Sequence, residues 1–354
     1  MSSANPLAVV AMSGGVDSSV AAAELRDAGY RVLGVSLRLW DSPRRDDRIC
    51  SDSRDARRVA DHLGIEHVEL DRRAEFEATV VGPFVSAYAG GATPNPCVAC
   101  NGRFKLGALV DWALAQGADA VATGHYARVR REGPRMRLLR GADEARDQSY
   151  FLFEVAARAL ERTLFPVGDL TKDEVRTRAR ARRLPVSEKP DSQDLCFGSP
   201  AALVAARGRS RGPGSVVDED GRRLGTHAGI EHFTVGQRRG LGIPAPSPMY
   251  VRALESDRRE VVVGRFPESL GLLARDWTWL SEPAPPDEPL IARIRARDPG
   301  RRATVEPAPA NRWRVWFGAA APAVTPGQAV VVYRGDEVAG GGWIEQSLGD
   351  GLTS

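Results

Sequence analysis

Residues 7–19, LAVVAMSGGVDSS, constrain the fold more than any other stretch of the chain. A short apolar run stops at a glycine pair. Helical spacing then starts at once, through Val20, Ala23 and Leu25, and closes at Gly29. An apolar run of this length bounded by a turn reads as a buried strand. A buried strand feeding a helix through a Gly-rich turn opens a strand–helix–strand unit, and the pattern continues. RVLGVSLRLW (31–40), HVELD (67–71) and DAVATGHYARV (119–129) read as further strands, with helical spacing over 53–64, 74–88 and about 103–116. This alternation predicts a doubly wound, mostly parallel α/β sheet covered on both faces. Ligands of such sheets bind beyond the C-terminal strand ends, where the loops SGGVDSS and TGHY fall.

The character of the chain changes near residue 205. Thr171-x-x-Glu174 is a capping box for a helix over about 172–183. RGRSRGPGS (207–215) then reads as a linker. Beyond it, GSVVDEDGRRLG, MYVRALESDRREVVVGR, LIARIRAR and QAVVVYRGDEVAGGGWIEQ are short alternating segments, with turn signals at Asp220-Gly221 and Gly335-Asp336. The expected division is an α/β nucleotide domain over 1–205, a small β-rich domain over 206–270, and an antiparallel β-barrel over 271–354.

Apolar residues make up 42% of the 354, enough for real cores, and no apolar run is long enough to span a bilayer. The N-terminus lacks the basic start and cleavage site of a signal peptide. Four cysteines in a chain this long are not a secreted disulfide framework, so a cytoplasmic location with reduced thiols is expected. The net charge of +3 is compatible with a nucleic-acid partner without demanding one. Only Lys105, Lys172 and Lys189 are lysines, so 46 of the 49 basic residues (49 less 3) are arginine. That excess reads as compositional bias, and arginine abundance alone is a weak signal for RNA.

The turn Ser13-Gly14-Gly15-Val16-Asp17-Ser18-Ser19 has the makings of an anion nest: successive backbone N–H groups, a helix N-terminus and three hydroxyls. It lacks the lysine of a G-x-x-x-x-G-K-[ST] loop and is not a G-x-G-x-x-G turn. S-G-G-x-D-S-S between a strand and a helix resembles the pyrophosphate loop of the PP-loop ATPases. These cleave ATP between the α and β phosphates and adenylate a substrate. The resemblance implies ATP contacts from Ala11, Met12, Ser13, Gly14, Gly15, Val16, Asp17 and Ser18, with Leu37 and Gly124 flanking the adenine and Asp17 helping to hold Mg²⁺.

TPNPCVACNGRFK (93–105) carries Cys97-x-x-Cys100 on what reads as a loop entering a helix near Gly102. Spacing alone leaves a metal clip, a redox pair and a reactive thiol open. A thiol just before a helix start is expected to have a lowered pKa. Cys196 lies in KPDSQDLCFG, and Cys50, in RICSDS, reads as structural or incidental.

MSGGVDSS, TPNPCVACN, ATGHY, DQSYFLF, LFPVGDL, DSQDLCF, GQRRGLGI and TPGQAVVVY occur in this order across nearly the whole chain. Together they resemble the bacterial tRNA-specific 2-thiouridylases, the MnmA family, which place sulfur at C2 of the wobble uridine (position 34) in tRNAs for Lys, Glu and Gln. The resemblance implies a persulfide on Cys196 and a nucleophile at Cys100, which either attacks the persulfide to release sulfide or forms a redox-active disulfide with Cys196 as sulfur leaves. An upstream persulfide donor such as a cysteine desulfurase is implied as partner. It also implies contact of Asn95, Pro96 and Cys97 with the target base. Further contacts to tRNA are implied for His125, Arg146, Asp147, Gln148, Arg295, Ala296, Arg297 and Gln346. His125 also reads as a hydrogen-bonded core residue, and RIRARDPGRR (293–302) as a solvated strand face. Many family members have Asp at the position of Cys97. With a cysteine there, Cys97, Cys100 and Cys196 become possible ligands of a [4Fe–4S] cluster, the alternative to a persulfide relay. Two other functions stay open: a PP-loop enzyme adenylating a small molecule, and a non-catalytic RNA-binding protein with a degenerate nucleotide loop.

Overall fold

Leu7–Ala11 forms β1 and Val16–Asp27 forms α1, with Gly14 at φ +66° in the turn between them. A side chain is strained at that angle, so the glycine is what allows the turn. In the computed structural model, the described residues are 5–40, 53–191, 195–244, 247–265, 268–322 and 324–349. Cys50 lies outside them. The chain divides into two units. The first holds 1–80, 97–197 and 336–338; the second holds 81–96, 198–335 and 339–354.

The first unit is built on a five-stranded sheet. Its members are β1, β2 (Arg31–Arg38), β3 (Glu66–Asp71), β4 (Ala120–Thr123) and, after a hairpin of β5 (Ala127–Glu132) and β6 (Arg135–Arg140), β7 (Thr163–Leu164). The order is β3-β2-β1-β4-β7, and every pairing is parallel. β1 and β4 are buried on both faces, while β3, at the edge, is largely exposed. The order reverses on either side of β1, so the crevice beyond the ends of β1 and β4 is the topological switch point. Met12, Val16, Val20, Ala122, Tyr126 and Val175 share one core beneath it. The expected strand over 119–129 is in fact two. Gly124, His125 and Tyr126 break it, and the chain leaves the parallel sheet for the antiparallel hairpin β5–β6. Glu337 stands opposite Leu139 of β6 and pairs with Arg137.

The second unit contains two sheets. β8 (Gly214–Val217), β9 (Arg223–His227), β10 (Tyr250–Glu255) and β11 (Glu260–Gly264) pair in the order β10-β11-β8-β9 over a small apolar core around Val216, Val251 and Val261. β12 (Glu268–Trp279), β13 (Leu290–Arg293), β14 (Arg301–Ala308), β15 (Arg312–Pro322), β16 (Ala329–Arg334) and β17 (Glu337–Leu348) form a ring. It runs β12-β15-β14-β13-β16-β17 and closes by pairing β12 with β17. This is a six-stranded antiparallel barrel, and closure removes its sheet edges. Leu272, Val305, Val315, Val330 and Val332 are among the side chains that fill it. The predicted fold class holds in all three parts.

Candidate active site

The turn after β1 is braced by its own hydroxyls. Ser13 N donates to Ser18 Oγ (3.2 Å), and Ser18 Oγ and Ser19 Oγ donate to Gly15 O at 3.2 and 2.7 Å. Gly124, after β4, packs directly on this turn. A Cβ there would lie 2.5 Å from Ser18 N and 2.7 Å from Asp17 C, a clash with backbone that only glycine avoids. Leu37 sits half-buried near the C-terminal end of β2.

Charged groups that the sequence reading did not place there surround the turn. Lys172, at the start of the helix Lys172–Ala181, has its Nζ 2.7 and 2.9 Å from the two oxygens of Asp17 and 2.8 Å from Asp191 Oδ1. The Thr171/Glu174 capping box is formed as expected and fixes where that helix begins. Tyr126 donates its hydroxyl to Asp17 at 2.8 Å, and burial with the neighbouring Asp17 charge pushes its pKa up. Arg146 and Arg176 also reach Asp191, at 2.8 and 3.0 Å. Burial works to raise the Asp191 carboxyl, but its bond to Lys172 and the three surrounding cations hold it below the ordinary aspartate value. On the other side of the turn, Lys189 Nζ lies 3.0 Å from Gly14 O and 2.6 Å from Asp55 Oδ2.

The cysteine segment differs from the expected loop. A helical turn already runs from Pro96 to Cys100, continues as a wide turn over Asn101–Ala108 and resumes as a helix at Leu109–Ala115. Proline fits the first position of such a turn. Cys100 therefore sits inside the helix rather than ahead of it, and it is buried. Burial pushes its thiol up, with the Lys105 charge opposing, so the expected lowered pKa is corrected. Cys97 behaves alike and is partly buried; Cys196 is exposed. All three carry thiols rather than a disulfide. The wide turn has i→i+5 bonding, which stacks Lys105 one turn beyond Cys100. The Lys105 ammonium is within electrostatic reach of all three sulfurs, and attraction to their thiolate forms outweighs burial to raise its pKa. Among the described residues, no three or more His, Cys, Asp or Glu side chains converge as a metal centre. The three thiols as placed do not make a cluster ligand set.

His125 is buried, its Nδ1 2.7 Å from Thr123 Oγ1 and its ring edge-on to Phe165. Burial and, secondarily, the Lys105 charge push it down to about 3, so it is neutral. Asp147 Oδ1 accepts from Gly141 N and Ser149 N, and Gln148 Oε1 accepts from Tyr126 N. These two carboxyl and amide oxygens thus brace the loop beside the nest, and Arg146 is exposed. In the second unit, 294–300 is a loop between β13 and β14, not a strand face. Asp298, buried, accepts from Ile294 N, Gly300 N and Arg301, and Arg293 donates to the carbonyls of Asp298 and Ala296. Two of the five arginines of RIRARDPGRR therefore pin the loop from within, while Arg295 and Arg297 are exposed. Gln346 is exposed on β17 opposite Leu273; Asn95 and Pro96 fall where the chain passes from the second unit into the first.

All three lysines of the chain lie at this site, two at the nest and one at the thiols. Their rarity was the available signal. Where arginine has filled nearly every basic position, a remaining lysine marks a place for a compact ammonium with rotatable donors rather than a planar fork.

A parallel sheet whose switch point presents an S-G-G-x-D-S-S nest defines a PP-loop nucleotide-binding domain of the HUP type. Family models match the tRNA methyl transferase HUP domain over residues 7–199, the tRNA methyl transferase PRC-barrel domain over 203–265 and the aminomethyltransferase beta-barrel domain over 269–344. The tRNA-specific 2-thiouridylase MnmA of Sorangium cellulosum is 49% identical over 357 residues, covering 96% of this chain and 92% of that protein. Those of Geobacter metallireducens and Moorella thermoacetica are each 45% identical, covering 97% and 95% of this chain and 98% and 99% of theirs. The chain belongs to the tRNA-specific 2-thiouridylase family. Among the described residues no helix is long and apolar enough to cross a membrane.

Proposed function

We propose that this protein is an ATP-dependent tRNA-uridine 2-sulfurtransferase acting at the wobble position of tRNAs for Lys, Glu and Gln. The observation that carries the reading is that one structural unit holds both an anion nest with its acidic residue, Asp17, and three thiols within reach of one lysine. Family membership supports ATP and Mg²⁺ as the nucleotide and its ion, with Asp17 as the residue to hold Mg²⁺.

A C2 oxygen on uracil is a poor leaving group. Its attack on the α phosphorus of ATP expels pyrophosphate and makes AMP the leaving group. A Cys196 perthiolate then attacks C2, and AMP departs. The Cys100 thiolate attacks the inner sulfur of the resulting C2–S–S–Cys196 link. The thiocarbonyl product leaves, its nitrogen taking a proton, and Cys100–Cys196 is left as a disulfide. A thiol reductant restores the pair, and a cysteine desulfurase or similar donor reloads Cys196. Exposure of Cys196 suits a residue that must be loaded by a partner; burial of Cys100 suits one that acts only once the site is filled. The catalytic domain of this reading is 1–205. The 206–270 domain and the 271–354 barrel serve tRNA binding, with Asn95, Pro96 and Cys97 at the target base. His125, Arg146, Asp147, Gln148, Arg295, Ala296, Arg297 and Gln346 are further tRNA-contacting positions, and the cytoplasm is the place of action.

The test supplies unmodified tRNA, MgATP and a persulfide donor and digests the tRNA to nucleosides. 2-Thiouridine by mass spectrometry, with one AMP and one pyrophosphate per sulfur, is the expected result. Pyrophosphate without thiolated nucleoside would favour adenylation of a small molecule, and neither product would favour a binding protein.

A further inference from the structure

Lys172 and Lys189 both stand at the nest, but their surroundings differ. Lys172 is buried and joins two carboxylates. Lys189 is about one-third exposed, and one of its partners is a neutral carbonyl, Gly14 O, in the nest itself. Its other partner, Asp55, has little need of it. Asp55 lies in the first turn of the helix Ser53–Leu63, where the helix dipole favours an anion, and Arg58 also reaches it at 3.1 Å. A backbone carbonyl is a weak partner for an ammonium beside a phosphate oxygen. The nest supplies N–H donors, yet a triphosphate brings several negative charges. Asp17 and Asp191 already occupy Lys172.

We propose that Lys189 is a catalytic residue of the adenylation step, its ammonium binding the pyrophosphate end of ATP at the nest and stabilising pyrophosphate as it leaves. The inference rests on the ATP-dependent reading above and assigns it a further residue. In the step, the uridine O2–Pα bond forms and the bond from Pα to the bridging oxygen breaks. The electron pair leaves with pyrophosphate, and the N3 proton of the base goes to solvent. Lys189 offsets the charge that grows on the leaving group, and Asp55 holds the side chain at the nest until nucleotide arrives. A point charge with three rotatable donors suits a leaving group that shifts as it departs, which accounts for lysine here in a chain of arginines.

The experiment follows pyrophosphate release from MgATP and unmodified tRNA by wild type, Lys189→Met and Lys189→Arg, alongside tRNA binding. Lys189→Met is expected to lose about 100-fold or more in kcat, as for one removed electrostatic donor. Its ATP KM should change less and its tRNA affinity not at all, and Lys189→Arg should recover part of the loss. Release by Lys189→Met within threefold of wild type would overturn the proposal alone; no release by wild type would take the ATP-dependent reading down with it. A second measurement needs no variant of doubtful folding. Protein labelled at lysine gives only three side-chain NMR signals, and Lys189→Arg assigns one. Addition of Mg²⁺ with α,β-methylene-ATP should move the Lys189 signal. A signal that stays in place at saturating nucleotide rejects the contact.

Discussion

The Nζ of Lys172 bonds both oxygens of Asp17, 155 residues earlier in the chain, at 2.7 and 2.9 Å. The same ammonium holds Asp191 at 2.8 Å. Removing it leaves two carboxylates facing each other in a largely buried place. Lys172→Met is therefore expected to cost about 2–4 kcal/mol of stability. Lys172→Met with Asp191→Asn should recover part of that, because the carboxylate beside Asp17, which Arg146 and Arg176 still hold, is then neutral. Denaturant midpoints of the two variants check this; equal midpoints would mean that Asp191 is held well enough by Arg146 and Arg176.

His125 makes a pH prediction. Its folded value is about 3 against an ordinary 6.5, so below 6.5 the unfolded chain takes up a proton that the folded chain does not. A depressed folded pKa then means that stability is full above about 6.5 and falls as pH drops toward 3, by up to roughly 1.4 kcal/mol per pH unit from this group. His125→Gln should flatten that part of the stability–pH curve. An unchanged slope between pH 6 and 4 would show that His125 is not the proton-linked group.

Thiol reactivity should follow exposure. Cys196 is exposed, whereas Cys100 is buried with its thiol pushed up. Iodoacetamide at pH 7 should modify Cys196 at least about tenfold faster than Cys100. Peptide mass spectrometry over a time course reads the order, and faster labelling of Cys100 would reject its burial.

Cys97 separates the relay from a cluster. In the relay only Cys100 and Cys196 are covalently required, so Cys97→Asp should keep substantial activity with a persulfide donor in iron-free protein. Activity that tracks iron content across wild type, Cys97→Ser and Cys97→Asp prepared anaerobically would eliminate the relay.

The loop held by Asp298 and Arg293 presents Arg295 and Arg297 outward. Replacing both with alanine should weaken tRNA binding and lower the slope of log K against log salt by roughly one per lost phosphate contact. An unchanged slope would leave them as solvated surface.

The architecture was legible because β1 and its glycine turn announce a parallel sheet, and the alternation after residue 205 announces β structure. The break at Gly124–Tyr126 was not, since its cause is the approach of Gly124 to Ser18, a contact 106 residues apart that no local spacing records. The start of the cysteine helix at Pro96 was missed because Asn-Pro also suits a turn. The phosphate nest could be read as a motif, but Lys172, Lys189, Asp55 and Asp191 reach it from distant segments. Of these, only the scarcity of lysine left a trace in composition. In RIRARDPGRR, five arginines look equivalent until Asp298 claims Arg301 and the loop carbonyls claim Arg293.

The placement of the three lysines has a practical side. Apart from the terminal amine, every primary amine of this chain lies beside the nucleotide turn or the thiols. Besides the terminal amine, succinimidyl dyes, amine-coupled sensor chips and aldehyde fixatives find only the partly exposed Lys105 and Lys189 and the buried Lys172, all beside the nucleotide turn or the thiols. Labels and surfaces are better attached through an added tag, and loss of activity on amine coupling becomes a map of the site rather than an artefact.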